Sequence, residues 1–226
     1  MRLVDNALTT LPDSAGQAAG LAARLRAGTA ALHTRAERAG IVADLLRGRA
    51  TQAGYALLLR NLLPVYREIE DGLWRRRDSP ALRPFARPDL FRASAIEADL
   101  SALRGAGAAT APLLPAAARY AHRARLAASG DGGRLIAHAY VRVLGDLSGG
   151  RLFAPLLART LGLPPAALRF YAFPDVPDLD AAKSAWRAGI DRAAAMLDDP
   201  ADMAREARIA FRLNIALSEA VRTAAG

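Results

Sequence analysis

Three glycines, Gly145, Gly149 and Gly150, fall inside a stretch that otherwise reads as one long helix, roughly residues 134–161. Apolar residues recur there at helical spacing, yet each glycine costs a helix interior about 1 kcal/mol relative to alanine. A chain this rich in alanine had a cheaper residue at hand. The motif Gly145-Asp146-Leu147-Ser148-Gly149-Gly150 therefore points to a helix that is approached closely along its backbone, or that bends there. Gly145 and Gly149 stand four apart and share one face. Asp146 sets a carboxylate at the same spot. A flat ligand lying directly against the helix would account for all of these features.

The rest of the chain agrees with helix. Its 226 residues suffice for one domain with a substantial core. Only 6% are aromatic, alanine and leucine dominate, and runs of β-branched residues are missing, which favours helix over sheet. Helices are predicted near 17–38, 42–46, 52–76, 90–103, 115–128, 134–161, 180–197 and 201–223. In the third, Tyr55, Leu58, Leu59, Leu62, Leu63, Tyr66, Ile69 and Leu73 follow the i, i+3, i+4, i+7 pattern, and Pro64 is expected to kink it. Residues 79–88 carry three prolines and read as a loop, as do 173–177, while 105–112 read as a small-residue linker. No strand alternation or fixed-period repeat is present. The expectation is an all-α, single-domain helical bundle over residues 17–226, preceded by a loose tail over 1–16.

Several function classes drop out. The absence of cysteine removes disulfides, thiolate catalysis and cysteine-ligated clusters. No apolar run is long enough to span a membrane and residues 1–16 lack the apolar core of a signal peptide, so a soluble cytoplasmic protein is expected. The net charge of +9 is almost all arginine, since Lys183 is the only lysine. A genome that favours arginine codons is one reading of that excess, as its main cause. A basic rim for an anionic ligand or an acidic partner is the functional alternative. The arginines are too scattered, and too little interleaved with aromatics, for nucleic acid.

Among the three histidines, His33 carries the best case for a ligand. It lies on the inner side of its helix, and Glu37, one turn on, is placed to accept a hydrogen bond from one ring nitrogen while the other faces a metal. No further histidine or carboxylate in that helix completes a multi-ligand site. A lone histidine suits a metal that brings its own equatorial ligands, which means haem. Asp146 is the second candidate, drawn inward by its glycines. Asn214, Tyr66 and Arg142 are polar groups bordering apolar helix stripes, where burial would demand partners.

At these residues the chain closely resembles the haem oxygenases. Residues 25–37 read LRAGTAALHTRAE and residues 138–150 read HAYVRVLGDLSGG. The likeness continues through YALLLRNLLPVYREIE at 55–70, the segment around Lys183 to Arg187, and AFRLNIAL at 210–217. It spans nearly the whole chain from about residue 18 to 220, and the ordered set of motifs makes it specific.

The resemblance implies a haem sandwiched between a proximal helix and a kinked distal helix. His33 would ligate the iron, with Glu37 as its hydrogen-bonding neighbour and Thr29 and Ala36 lining the proximal side. Gly145, Gly149 and Gly150 would lie along the distal face. Asp146 would hold a water network that delivers protons during dioxygen activation, together with Arg142, Tyr66 and Asn214. Arg26, Tyr140, Lys183 and Arg187 would surround the haem propionates, and Phe211 would pack on the macrocycle edge. Haem b would be both cofactor and substrate, cleaved with O₂ to biliverdin, CO and ferrous iron. Electrons would come from an external acidic donor such as a ferredoxin, flavodoxin or flavin reductase, because the chain carries neither GxGxxG nor a phosphate loop. A monomer is expected. Two positions depart from the pattern: Ala30 stands where some relatives have a basic residue, and Val143 where several have tyrosine. A haem carrier or sensor without turnover is the alternative reading, and an unrelated enzyme on the same scaffold a third.

Overall fold

The structure, a computed structural model, describes residues 20–103 and 112–226. The expected tail over 1–16 and all but the last residue of the expected linker over 105–112 lie outside the described residues. Among the described residues eight α-helices follow one another: α1 (Leu21–Arg38), α2 (Gly40–Leu46), α3 (Gln52–Arg75), α4 (Ala93–Ala102), α5 (Pro115–Ala127), α6 (Gly133–Leu161), α7 (Leu179–Ala194) and α8 (Pro200–Ala224). Short 3₁₀ turns, Arg83–Phe85, Pro88–Leu90, Pro165–Ala167 and Arg169–Tyr171, punctuate the proline-rich connections. Among the described residues there is no strand, and no helix is long and apolar enough to cross a membrane.

Local chemistry sets the helix starts. Thr51 accepts the Gly54 N–H at 3.0 Å to open α3, Asp178 accepts two N–H groups at 2.9 Å to open α7, and Asp199 with Pro200 behind it opens α8. Two caps come from far along the chain. Asp191 of α7 accepts the Ala22 N–H at the start of α1 at 2.8 Å. Glu70 of α3 accepts the N–H groups of Arg92 and Ala93 at the start of α4. These long-range caps tie helices together as well as ending them.

The helix α8 runs through the middle of the packing, against α1, α2, α5 and α6. Its buried stripe includes Met203, Ala207, Ala210, Phe211, Leu217 and Val221. The joint between α1 and α2 is Gly40, at φ +56°, where a Cβ would lie 2.2 Å from the Ser218 backbone of α8. Only glycine fits such an approach in that conformation. Both internal prolines, Pro64 in α3 and Pro155 in α6, sit inside continuous helices. The glycine motif is likewise uninterrupted helix.

A buried ion cluster pins α8 to its neighbours. His138 of α6 meets Glu206 at 2.8 Å, and Arg123 of α5 reaches the same carboxylate through Nε at 2.8 Å. Burial opposes the Glu206 charge, but these two partners prevail and hold its pKa down at about 2. His138, which opens one of the recognised motifs, is therefore a structural residue with no exposure at all.

Candidate active site

Residues of α1 and α6 form facing walls of one cavity with two connected chambers. The inner chamber, about 270 Å³, is lined by His33, Ala36 and Glu37 from α1, by Leu58 and Leu62 from α3, and by Arg142, Gly145, Asp146 and Gly149 from α6. Phe170, Tyr171, Phe211 and Asn214 close it. The outer chamber, about 990 Å³, is lined by Arg26, Thr29, Ala30, Tyr140, Arg187 and Asp191 among others. His33, Gly145, Ser148 and Phe211 border both.

The α1 wall is open. The His33 side chain is 57% exposed, with Nδ1 3.5 Å from Glu37 Oε1, an electrostatic contact longer than a firm hydrogen bond. The Phe211 ring stands edge-on to it at 6.1 Å. One turn before His33, Thr29 is buried. Its hydroxyl donates to the Leu25 carbonyl at 2.7 Å and lies 3.4 Å from the Tyr140 hydroxyl.

The α6 wall is the opposite. Asp146 is buried and accepts from the Tyr66 hydroxyl on one oxygen and from Arg142 at 3.3 Å on the other. Arg142 donates twice to the Tyr66 oxygen, at 2.9 and 2.7 Å, and to Asn214 Oδ1 at 2.7 Å. Four residues from three helices thus form one closed network at the cavity. Burial pushes the Asp146 carboxyl above the usual carboxylate range, against the pull of Arg142 and the Tyr66 hydrogen bond. The Tyr66 phenol is also pushed up by burial.

Each of the three motif glycines meets a different environment. A Cβ at Gly145 would find nothing within 4 Å, so the helix backbone there faces open cavity. At Gly149 a Cβ would touch the Phe153 ring at 3.3 Å. At Gly150 it would lie 2.8 Å from the Tyr171 carbonyl. The cavity as a whole fits a flat, anionic macrocycle with one axial histidine: an imidazole on one wall, bare backbone opposite, apolar walls behind and arginines in the outer chamber.

The family model described as heme oxygenase matches residues 19–220. The chain belongs to the haem oxygenase family. Heme oxygenase 1 of Synechocystis is 34% identical over 199 residues, covering 88% of this chain and 80% of that protein. The human heme oxygenase 1 is 32% identical over 212 residues, covering 92% and 73%. A solved structure of the Synechocystis enzyme, described as in complex with heme, superposes with a TM-score of 0.82 at 30% identity, covering 92% of this chain and 94% of that one. Heme oxygenase from Leptospira interrogans superposes equally well, at 0.82 and 30% identity, covering 89% and 100%.

Within this haem oxygenase the expected residues fall as follows. His33, Glu37, Gly145, Gly149, Asp146, Arg142, Asn214 and Phe211 border the inner chamber; Arg26, Thr29, Tyr140 and Arg187 border the outer one; Tyr66 joins the network from α3. Two expected residues fall outside this lining. Gly150 turns away from the cavity, and its missing Cβ admits the backbone of the Arg169–Tyr171 turn. Lys183 is absent from the lining of both chambers, and its ammonium lies 2.6 Å from Asp180. Sequence reading also missed part of the cavity wall. Phe170 and Tyr171 enter from that 3₁₀ turn, which Asp99 fastens by accepting the Arg169 and Phe170 N–H groups, both at 2.8 Å. Tyr171 stacks on Phe153 at 5.2 Å, with ring planes 8° apart. A three-residue turn has no periodicity to betray it. Only the aromatic pair itself was a signal.

Proposed function

We infer that this chain opens haem oxidatively to biliverdin, CO and ferrous iron, using O₂ and electrons from outside. The observation that carries this is the pairing, across one cavity, of an accessible imidazole at His33 with the buried Asp146–Tyr66–Arg142–Asn214 network. When bound, haem supplies both the redox-active iron and the ring that is opened.

The residues divide the work. His33 would hold the iron, with the Glu37 carboxylate 3.5 Å from Nδ1 as its neighbour. An imidazole would donate less electron density to a bound iron than a thiolate, which would favour oxidation of the ring. Gly145 keeps side-chain bulk off the opposite face. Asp146, its protonated form favoured by burial, takes and releases a proton at a carboxyl oxygen, passing it to the cavity through water. Arg142 and Asn214 fix the geometry of that carboxyl, so little reorganisation is needed at the moment of transfer. Leu58, Leu62 and Phe170 keep bulk water out of the inner chamber. Arg26 and Arg187, which line the outer chamber, would meet the propionates. The excess positive charge steers an acidic electron donor, of the ferredoxin, flavodoxin or flavin reductase type, toward the protein.

The test is product analysis. Purified protein given haem, reductant and O₂ should yield biliverdin and CO. A haem spectrum that persists unchanged under those conditions would make the protein a carrier and remove the reading.

A further inference from the structure

Asp99 of α4 is fully buried and commits both carboxylate oxygens to one short turn. Oδ1 accepts the Arg169 N–H and Oδ2 the Phe170 N–H, each at 2.8 Å. An ionised carboxylate can accept from two neighbouring N–H groups on separate oxygens; an amide in its place would turn a donor toward one of them. The turn so held is a chamber wall, since Phe170 and Tyr171 both line the inner chamber. The Phe170 ring meets the Tyr66 ring edge-on, with centroids 5.5 Å apart and planes at 83°. Tyr66 is the phenol that donates to Asp146 and accepts twice from Arg142. A line of direct contacts therefore runs from α4 through the turn to the Asp146 carboxyl. Asp99 alone in that line belongs neither to the cavity lining nor to the network.

We propose that Asp99 is a positioning residue for proton transfer, seating the Phe170 edge on the Tyr66 ring and so aiming the Tyr66 hydroxyl at Asp146. This rests on the oxygenase reading given above. Arg142 grips the Tyr66 oxygen, but two donors on one atom leave the ring free to swing about it. The Phe170 edge removes that freedom. Tyr171 backs Phe170 in turn, its ring 4.7 Å from that of Phe170 and stacked on Phe153 of α6. A misplacement of about 1 Å can slow a reaction about 100-fold, so a loosened turn reaches the chemistry without touching a ligand. The hold depends on charge. Burial pushes the Asp99 carboxyl up from 3.8 to about 6, against the two N–H groups and the Arg169 and Arg92 charges. Of the elements packed on α4, α3 presents the Tyr55 phenol to Asp99 and the Arg169–Tyr171 turn presents Tyr171, both held neutral by burial. Glu70, also on α3, engages the start of α4 instead, and the Pro165–Ala167 turn brings no titratable side chain. Protonation of Asp99 therefore weakens its grip as pH falls through about 6.

The test reads Tyr66 directly. The chain has five tyrosines, so a carbon-13 tyrosine label gives a simple NMR spectrum in which Tyr66→Phe and Tyr140→Phe each identify one set of ring signals. In haem-free Asp99→Asn the Tyr66 signals should shift, while those of Tyr140, beside Thr29 at the outer chamber, should stay. In wild type the Tyr66 signals should also shift as pH falls through about 6. Asp99→Asn should abolish that step, and Asp146→Asn, which leaves Asp99 in place, should keep it. With ferric haem, Asp99→Asn should bind within about twofold of wild type and, given reductant and O₂, form biliverdin about tenfold more slowly. Unmoved Tyr66 signals, or moved signals with turnover at the wild-type rate, overturn the proposal. A wild type without the step near pH 6 overturns it too, even if the melting curve shows that Asp99→Asn does not fold. Wild type that binds haem and forms no biliverdin would instead overturn the oxygenase reading and leave the Tyr66 signals to decide on Asp99.

Discussion

The two walls of the cavity are built on opposite physical principles. On α1 the functional group is a half-exposed imidazole with one loose neighbour at 3.5 Å. On α6 it is a buried carboxyl in a network that spans α3, α6 and α8. The first is cheap to keep and gains its order from whatever binds it. The second is costly to bury and must be fully paired before any ligand arrives. Folding therefore commits to the proton-handling side of the site and leaves the ligating side adaptable. Thermal stability and ligand binding should respond to mutation on different walls.

The largest effect on stability should come from Arg142→Ala, which strands Asp146 and Asn214 without their shared donor. A loss of about 3–5 kcal/mol is expected, seen as a lowered midpoint in chemical denaturation. Next comes Asp146→Asn, which keeps the hydrogen-bonding shape but removes the transferable proton. Biliverdin formation should fall about 100-fold while haem affinity holds, measured by single-turnover absorbance. Retained turnover would break the assignment of proton handling to the α6 wall.

A smaller effect concerns pH. Burial pushes the Glu70 carboxyl up from 4.5 to about 7, only partly offset by the N–H groups of Arg92 and Ala93. Between those values the folded protein keeps a proton that the unfolded chain has released, so this group makes stability fall as pH rises through that window. The decline amounts to about 3 kcal/mol in total. Glu70→Gln retains an acceptor for the α4 cap and should flatten that slope in melts taken from pH 4.5 to 7.5. The smallest effect should be that of His33→Ala on stability, within about 0.5 kcal/mol, because its side chain is mostly in solvent. The same variant should lose the histidine-ligated haem spectrum. A large drop in melting temperature would erase the contrast between the walls.

Helix periodicity made the bundle readable from the chain. The windows around Tyr55–Leu73 and the long alanine-rich segments coincide with α3, α5, α6 and α8 to within a residue or two. The motif glycines and His33 marked the cavity because each is an anomaly in its own helix. What stayed hidden depends on contacts between distant segments. No local pattern says that Gly150 serves the Tyr171 backbone, or that Asp99 fastens the turn holding Phe170. The pairing of Lys183 with Asp180 was hidden for a related reason. The lysine's neighbour at i−3 is visible in the sequence, but which anion holds the ammonium is a matter of geometry. Nor does any local pattern pair His138 with Glu206, 68 residues away.

The three glycines of α6 give the family motif unequal freedom to drift. At Gly145 a methyl group meets only empty space, so a lineage could refill that position without disturbing the bundle, surrendering this reaction and leaving a vacant scaffold for another. At Gly150 the same methyl collides with a peptide oxygen, and the whole aromatic turn would have to retreat with it. Loss of chemistry and loss of architecture are thus separated by five positions on a single helix, and descendants that abandon the first have no need to forfeit the second.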